Sequence, residues 1–211
     1  MQLFPAINRE VKVGRIRFSS WVLWAVLLCL AGCSSPKDEP AEVSLPERNV
    51  AVDESLLGSP VTLAEPPVEF RPPLDWAHID DIRGGTLLAR FRKGDGALRL
   101  LPQALFLDSL SGCVLVVSRW ECDSTRWEAA ADLQRTTLEQ RLQGRKLEFE
   151  RYLLNGQKCQ ESVTRDSTLT NVKLLLESGA QLDFMLPGPS APAQMPRVEA
   201  AVGTVKPRPA G

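Results

Sequence analysis

The only histidine is the residue best suited to acid–base or metal chemistry. His78 lies in the stretch DWAHIDD, residues 75–81, and an imidazole beside carboxylates could bind a divalent metal. Asp75 is also a good N-cap for a helix, and Asp80 and Asp81 suit a solvated face. Because capping and solvation explain these carboxylates, we predict no metal, catalytic or cofactor site here. One histidine without a serine or cysteine motif also gives no catalytic triad.

A second reactive side chain, Cys33, follows an apolar run near the N-terminus. Residues 21–30 read WVLWAVLLCL, and the segment before them has four basic residues and one acidic residue. A membrane-spanning helix needs about 20 apolar residues. Ten such residues behind a basic segment are typical of a signal peptide. We therefore predict an export signal over residues 1–32 rather than a permanent membrane span.

The stretch LAGC, residues 30–33, resembles the lipobox of bacterial lipoproteins, in which small residues precede an obligatory cysteine. The resemblance implies cleavage before Cys33, attachment of a diacylglycerol to its thiol and acylation of the new amino terminus. Two or more acyl chains anchor stably, at about 0.8 kcal/mol per buried CH₂. Ser34 follows the cysteine. By the sorting rule of enteric lipoproteins, this favours the periplasmic face of the outer membrane over the inner membrane.

Export would place the remaining cysteines in an oxidising compartment. Cys113, Cys122 and Cys159 allow three pairings. Cys159 shares a predicted strand face with Val163 and suits a buried apolar position. We predict one disulfide and favour Cys113–Cys122, although the segment between them must fold back for the two thiols to meet.

Composition divides the chain into one predicted domain, residues 63–187, with flexible ends. Residues 33–62 contain four prolines, mixed charge and few large apolar side chains, which is typical of a tether. Residues 188–211 are rich in Pro and Ala without periodicity and predict a disordered tail. The formal net charge is −1 for the whole chain and −4 without the signal peptide. This charge, together with export, argues against a nucleic-acid partner.

A helix is predicted between Thr125 and Gly144. Thr125 and Glu128 have the form of a capping box. Apolar residues recur at helical spacing from Trp127 to Leu142, and Gly144 is a suitable stop.

The strands are clearest after this helix. We predict a four-stranded antiparallel meander over 146–154, 157–163, 169–176 and 180–186. Asn155-Gly156 suits a type I′ hairpin turn, and alternation along the strands predicts one buried face. Before the helix we predict strands at 68–70, 87–91 and 99–101, a short helix at 75–82 and a hairpin of 104–107 with 113–119. The elements together predict an α+β domain with an antiparallel sheet packed by helices.

The order of the helix, YLLNGQKCQ, LTNVKLLLES and AQLDFMLP is similar to the end of the PsbP-like domain, an antiparallel sheet covered by helices. The resemblance implies an α/β/α sandwich and a non-enzymatic accessory role. It carries no functional residue over to this chain.

Three tryptophans, Trp76, Trp120 and Trp127, could line a binding groove, but such residues usually belong to a core or its rim. The sequence has no haem-attachment, phosphate-loop or zinc-site spacing. We therefore expect a lipoprotein whose periplasm-facing domain binds another envelope protein. The alternatives are an envelope hydrolase with a site built from scattered residues, and a carrier of small ligands. A hydrolase would gather His78 with carboxylates in a cleft, whereas a carrier would enclose an apolar cavity.

Overall fold

The computed structural model describes residues 44–79, 89, 97–123, 126–142 and 145–208. The helices are a 3₁₀ turn (Glu54–Leu56), α1 (Trp127–Arg141) and α2 (Ala191–Gly203). The strands are β1 (Val61–Leu63), β2 (Val68–Phe70), β3 (Ala77–His78), β4 (Leu98–Asp108), β5 (Cys113–Cys122), β6 (Lys146–Leu154), β7 (Gln157–Arg165), β8 (Leu169–Leu176), β9 (Ala180–Pro187) and β10 (Lys206–Pro207).

The strands form a large antiparallel sheet in the order β3-β4-β5-β9-β8-β7-β6 and a small sheet in the order β1-β2-β10. The meander β6–β9 confirms the prediction from alternation. Asn155 and Gly156 join β6 to β7 with positive φ angles of 49° and 80°, as a type I′ turn requires.

Helix α1 covers one face of the large sheet. The helix predicted from the apolar spacing is confirmed, because its buried residues lie along one side. Trp127, Ala130 and Ala131 are buried against Leu175 of β8. The predicted cap residues Thr125 and Gly144 lie outside the described residues. Arg126 holds the N-cap position without a side-chain cap.

Helix α2 covers the opposite face, and the prediction of a disordered tail over 188–211 was wrong for the described residues, 188–208. Val198, Ala201, Val202 and Val205 are buried in the main core, and β10 pairs with β2. Pro192 is compatible with the start of this helix, because the first N–H groups of a helix have no partner within it. Pro196 lies inside the helix, where it removes one N–H donor. The apolar residues at spacings of three and four therefore decide the structure, rather than the proline content.

The prediction of a tether over 33–62 was also wrong for the described part, because the compact unit begins at Ser44. The Arg48 amide donates to the Leu153 carbonyl at 2.9 Å, and the Leu153 amide donates to the Pro46 carbonyl at 2.8 Å. Leu57 is buried. The prolines and mixed charge of this segment favoured the prediction of a tether, although residues 46–48 lie along β6. The domain limits of 63 and 187 are therefore replaced by Ser44 and the last described residue, 208.

The region before α1 differs most from prediction. Asp75 has a φ of 69° and leads into β3, so the chain does not form the helix predicted from residue 75. Residues 87–91 lie outside the described part except Ala89, which is helical. The strands predicted at 99–101 and 104–107 are one strand, β4, with a bulge between Pro102 and Ala104. The described part is an α+β fold, an antiparallel sheet with a helix on each face.

Candidate binding cleft

A cleft of about 480 Å³ lies between α2 and the β6–β7 edge of the large sheet. Apolar side chains form its floor: Val163, Val172, Val198 and Val202 are buried. These valines come from two strands and from one face of α2, so the sheet alternation and the helical spacing together build the floor. Charged side chains form the rim.

Arg48, Tyr152 and Glu161 form a fixed polar group at one side of the cleft. The Arg48 guanidinium donates to Glu161 Oε2, and the Tyr152 hydroxyl donates to the same oxygen at 2.6 Å. The guanidinium also lies over the Tyr152 ring, 4.8 Å from its centroid, at cation–π distance. Two donors and the ring therefore hold this carboxylate and guanidinium in one geometry.

Burial sets the protonation of the side chains behind this group. Burial raises the pKa of Tyr152 far above its ordinary range and raises the pKa of the Cys159 thiol to about 12. Both groups are neutral at physiological pH, so Tyr152 acts as a hydrogen-bond donor. Cys159 has 0% of its surface exposed and packs in the main core.

The rim carries excess negative charge. Four of the cleft-lining residues are glutamates, and only two are arginines. Glu148 is paired with Lys146 at 2.7 Å and with Arg165 at 3.0 Å. Glu150 lies 3.6 Å from Arg48, and its side chain is 64% exposed. A rim of this composition favours a cationic ligand group.

His78 does not line this cleft. It is exposed on β3, opposite Phe106, and its ring lies 5.0 Å from the Phe106 ring, centroid to centroid. Asp80 and Asp81 lie outside the described residues. In the described part of the chain, no three His, Cys, Asp or Glu side chains are grouped closely enough to hold a metal ion.

The predicted disulfide does not form. The thiols of Cys113, Cys122 and Cys159 are all free. Cys113 and Cys122 are the first and last residues of β5, which places them about 30 Å apart. A disulfide needs Cα atoms within about 7 Å. The strand prediction stopped at residue 119, and β5 continues to Cys122 without folding back. Cys33 and the predicted signal peptide lie outside the described residues.

The three tryptophans pack against the strands of the large sheet. Trp76 is buried against Phe184. The indole N–H of Trp127 donates to the Leu175 carbonyl at 3.2 Å, and that of Trp120 donates to the Leu176 carbonyl at 2.9 Å. The interpretation as core and core-rim residues is confirmed.

Sequence reasoning missed the polar group of the cleft. Glu161 gave a detectable signal, because it alternates with Cys159 and Val163 on the core face of β7, where a carboxylate needs a partner. Arg48 gave no such signal, because it lay in the segment predicted as a tether.

A comparison with protein-family models and with curated proteins finds no match to the chain. Among the helices within the described ranges, none has both the length and the apolar character needed to cross a membrane.

Proposed function

We propose that the chain is a bacterial lipoprotein anchored through Cys33, and that its folded unit binds another envelope protein through the cleft. The supporting observation is the cleft itself, which combines an apolar floor with a fixed, charged rim. Apolar surface supplies binding free energy, and a few placed polar groups supply orientation and specificity.

The polar group favours binding because it is already ordered. Arg48 and Glu161 are held by each other and by Tyr152, so a ligand need not order them. Ordering side chains on association costs about 0.5–1.5 kcal/mol each. A preformed rim therefore supports a recognition role, and the anchor sequence supports a role at a membrane surface.

The position of the anchor limits where the partner can be. Cys33 precedes Ser44, the first described residue, by eleven positions, and such a segment spans at most about 40 Å. The folded unit must therefore stay near the lipid surface. With Ser34 after the cysteine, the proposed surface is the periplasmic face of the outer membrane, and the partner is a protein of the same envelope.

The arrangement of a sheet between two helices supports the proposed PsbP-like α/β/α sandwich. An accessory role in assembling or stabilising an envelope complex follows from that resemblance. We therefore propose that the cleft binds its partner in order to assemble or stabilise such a complex.

The experiment has two parts. Mass spectrometry of the membrane-extracted protein should show an acylated amino terminus at Cys33, whereas an unmodified Cys33 behind residues 1–32 would refute the anchor. For binding, the protein is purified after mild crosslinking in cells.

The binding test compares Glu199→Lys with Glu139→Lys. Glu199 is exposed on α2 and lines the cleft, whereas Glu139 is exposed on α1. We expect Glu199→Lys to reduce recovery of the partner at least fivefold and Glu139→Lys to leave it unchanged. Equal recovery from both variants, or a hydrolytic activity abolished by His78→Ala, would refute the binding role.

A further inference from the structure

The outer edge of β6 retains backbone groups that the described residues do not pair. In an antiparallel ladder, alternate residues direct both N–H and C=O to the same side. Leu153 directs both groups outward, to Pro46 and Arg48. Leu147, Phe149 and Arg151 must therefore face outward too.

No described residue forms a backbone hydrogen bond with the outward groups of Leu147, Phe149 or Arg151. The free edge, residues 146–151, is about 20 Å long. The same edge already accepts an added segment, because residues 46–48 form a parallel bridge with Leu153. This edge is therefore suited to pairing with one more extended strand.

The side chains beside this edge have different chemistry on the two faces. Glu148 and Glu150 point to the α2 face, with side chains 44% and 64% exposed. Leu147 and Phe149 alternate with them on the other face and are half-buried. Over residues 147–150 an added strand would place successive side chains beside apolar and acidic neighbours in turn, and the two ends of the edge carry the basic residues Lys146 and Arg151.

A second copy of the chain fits this edge poorly. A two-fold pairing centred on residue 148, 149 or 150 would place two of the carboxylates of Glu148 and Glu150 directly opposite each other. Like charges in direct cross-strand positions are destabilising. Glu148 is already paired with Lys146 and Arg165. The attraction for a cationic side chain therefore comes from Glu150, which is 64% exposed, and from the excess negative charge of the cleft rim.

We propose that the free edge of β6 binds an extended segment of the partner in which basic and apolar residues alternate. The segment pairs its backbone with Leu147, Phe149 and Arg151 and places its basic side chains beside Glu150 and the negative rim of the cleft. This is strand addition, in which the backbone gives affinity and alternate side chains give specificity. The proposal rests on the proposed function and specifies the chemistry of the partner.

The test uses the full-length chain in mild detergent and a blocked octapeptide of alternating lysine and valine. Hydrogen exchange is measured by NMR with and without the peptide. The amides of Leu147, Phe149 and Arg151 should exchange at least tenfold more slowly with peptide bound. The amides of Glu148 and Glu150 face β7 and serve as internal controls, and they should change little. A glutamate–valine octapeptide should give no protection.

A pair of variants at Phe149 distinguishes the contribution of the backbone N–H to peptide binding from that of the side chain. Phe149→Pro removes the outward N–H without removing a ladder bond to β7, since proline is tolerated on edge strands. Phe149→Ala removes the ring and keeps the N–H. We expect the peptide Kd to rise at least tenfold more for Phe149→Pro than for Phe149→Ala. The exchange measurement on the unaltered chain remains decisive if the proline variant does not fold.

Several results would overturn this proposal. These are equal Kd values for the two Phe149 variants, peptide binding that leaves the three amides unprotected, and the absence of peptide binding. Amides already protected in the free monomer, or in a dimer, would show that the chain itself or a second copy occupies the edge. If Glu199→Lys still reduces partner recovery in these cases, the proposed function stands and only the strand addition is refuted.

Discussion

Val205→Ala tests whether the proline-rich C-terminal segment belongs to the folded unit. Val205 follows α2, has 0% of its surface exposed, and its carbonyl accepts a hydrogen bond from Asn155 at 2.8 Å. The substitution removes the equivalent of two buried methylene groups, at about 0.8 kcal/mol each. The cavity left behind adds to this loss. We expect a loss of about 2–3 kcal/mol in the free energy of unfolding.

The loss is measured by urea unfolding, with thermal melting as a second assay. About 2–3 kcal/mol corresponds to a fall in Tm of roughly 5–10 °C in a unit of this size. Val52→Ala is the matched control, because it makes the same chemical change at a residue that is 39% exposed. The control should lose less than about 1 kcal/mol.

Two results would refute this reasoning. The first is a Val205→Ala variant as stable as Val52→Ala, because a disordered tail buries no valine. The second is a chain ending at Pro187 that still unfolds cooperatively. Such a chain lacks Val205 and the core residues of α2, which are Ala191, Val198, Ala200, Ala201 and Val202.

Three further predictions concern single side chains. At pH 8, iodoacetamide should modify Cys122 in the native protein and reach Cys113 and Cys159 only after unfolding, because those two are buried; mass spectrometry that finds a Cys113–Cys122 disulfide would contradict this. Tyr152→Phe removes a hydrogen bond to a charged acceptor and should cost about 1.5–3 kcal/mol in urea unfolding, so a loss below about 0.5 kcal/mol would count against the polar group. Hydrogen bonds from the hydroxyl and amide of residue 168 lower the pKa of Asp166 to about 2. Its stabilising effect is present above about pH 4 and is lost as the pH falls toward 2. Asp166→Asn should therefore flatten the Tm-against-pH curve in that window, and an NMR titration that gives Asp166 an ordinary pKa would contradict the prediction.

The spacing of apolar residues correctly predicted those helices and strands in which one periodic pattern dominates. Helix α1 and strands β6–β9 follow from apolar spacing and from the Asn155-Gly156 turn, because these signals lie within single elements. The second buried face of the sheet was less visible. Gln160 and Gln181 are buried there, and Gln160 donates to Gln134 of α1 at 2.9 Å. Such polar residues appear solvent-facing until the helix that covers them is placed.

Composition misled the prediction at both ends of the unit. Proline content suggested disorder, but α2 is fixed by tertiary packing, and residues 46–48 are fixed by hydrogen bonds to Leu153. Residues 46–48 depend on Leu153, more than a hundred positions away, and the segment after α2 depends on pairing with β2. Local propensity does not report contacts of this kind. The cleft was missed for the same reason. Arg48 and Glu161 meet across 113 positions of the chain.

We propose that the folded unit meets its envelope partner at the cleft. Site-specific photo-crosslinking in cells tests it most directly, with a photoreactive residue at Met195 or at Leu110. Met195 lines the cleft, whereas Leu110 is 96% exposed in the turn between β4 and β5, outside the cleft. We expect an adduct of one defined mass from position 195, none from position 110, and loss of the adduct in a Glu199→Lys background. Equal adducts from both positions, or an adduct from position 110 alone, would contradict it.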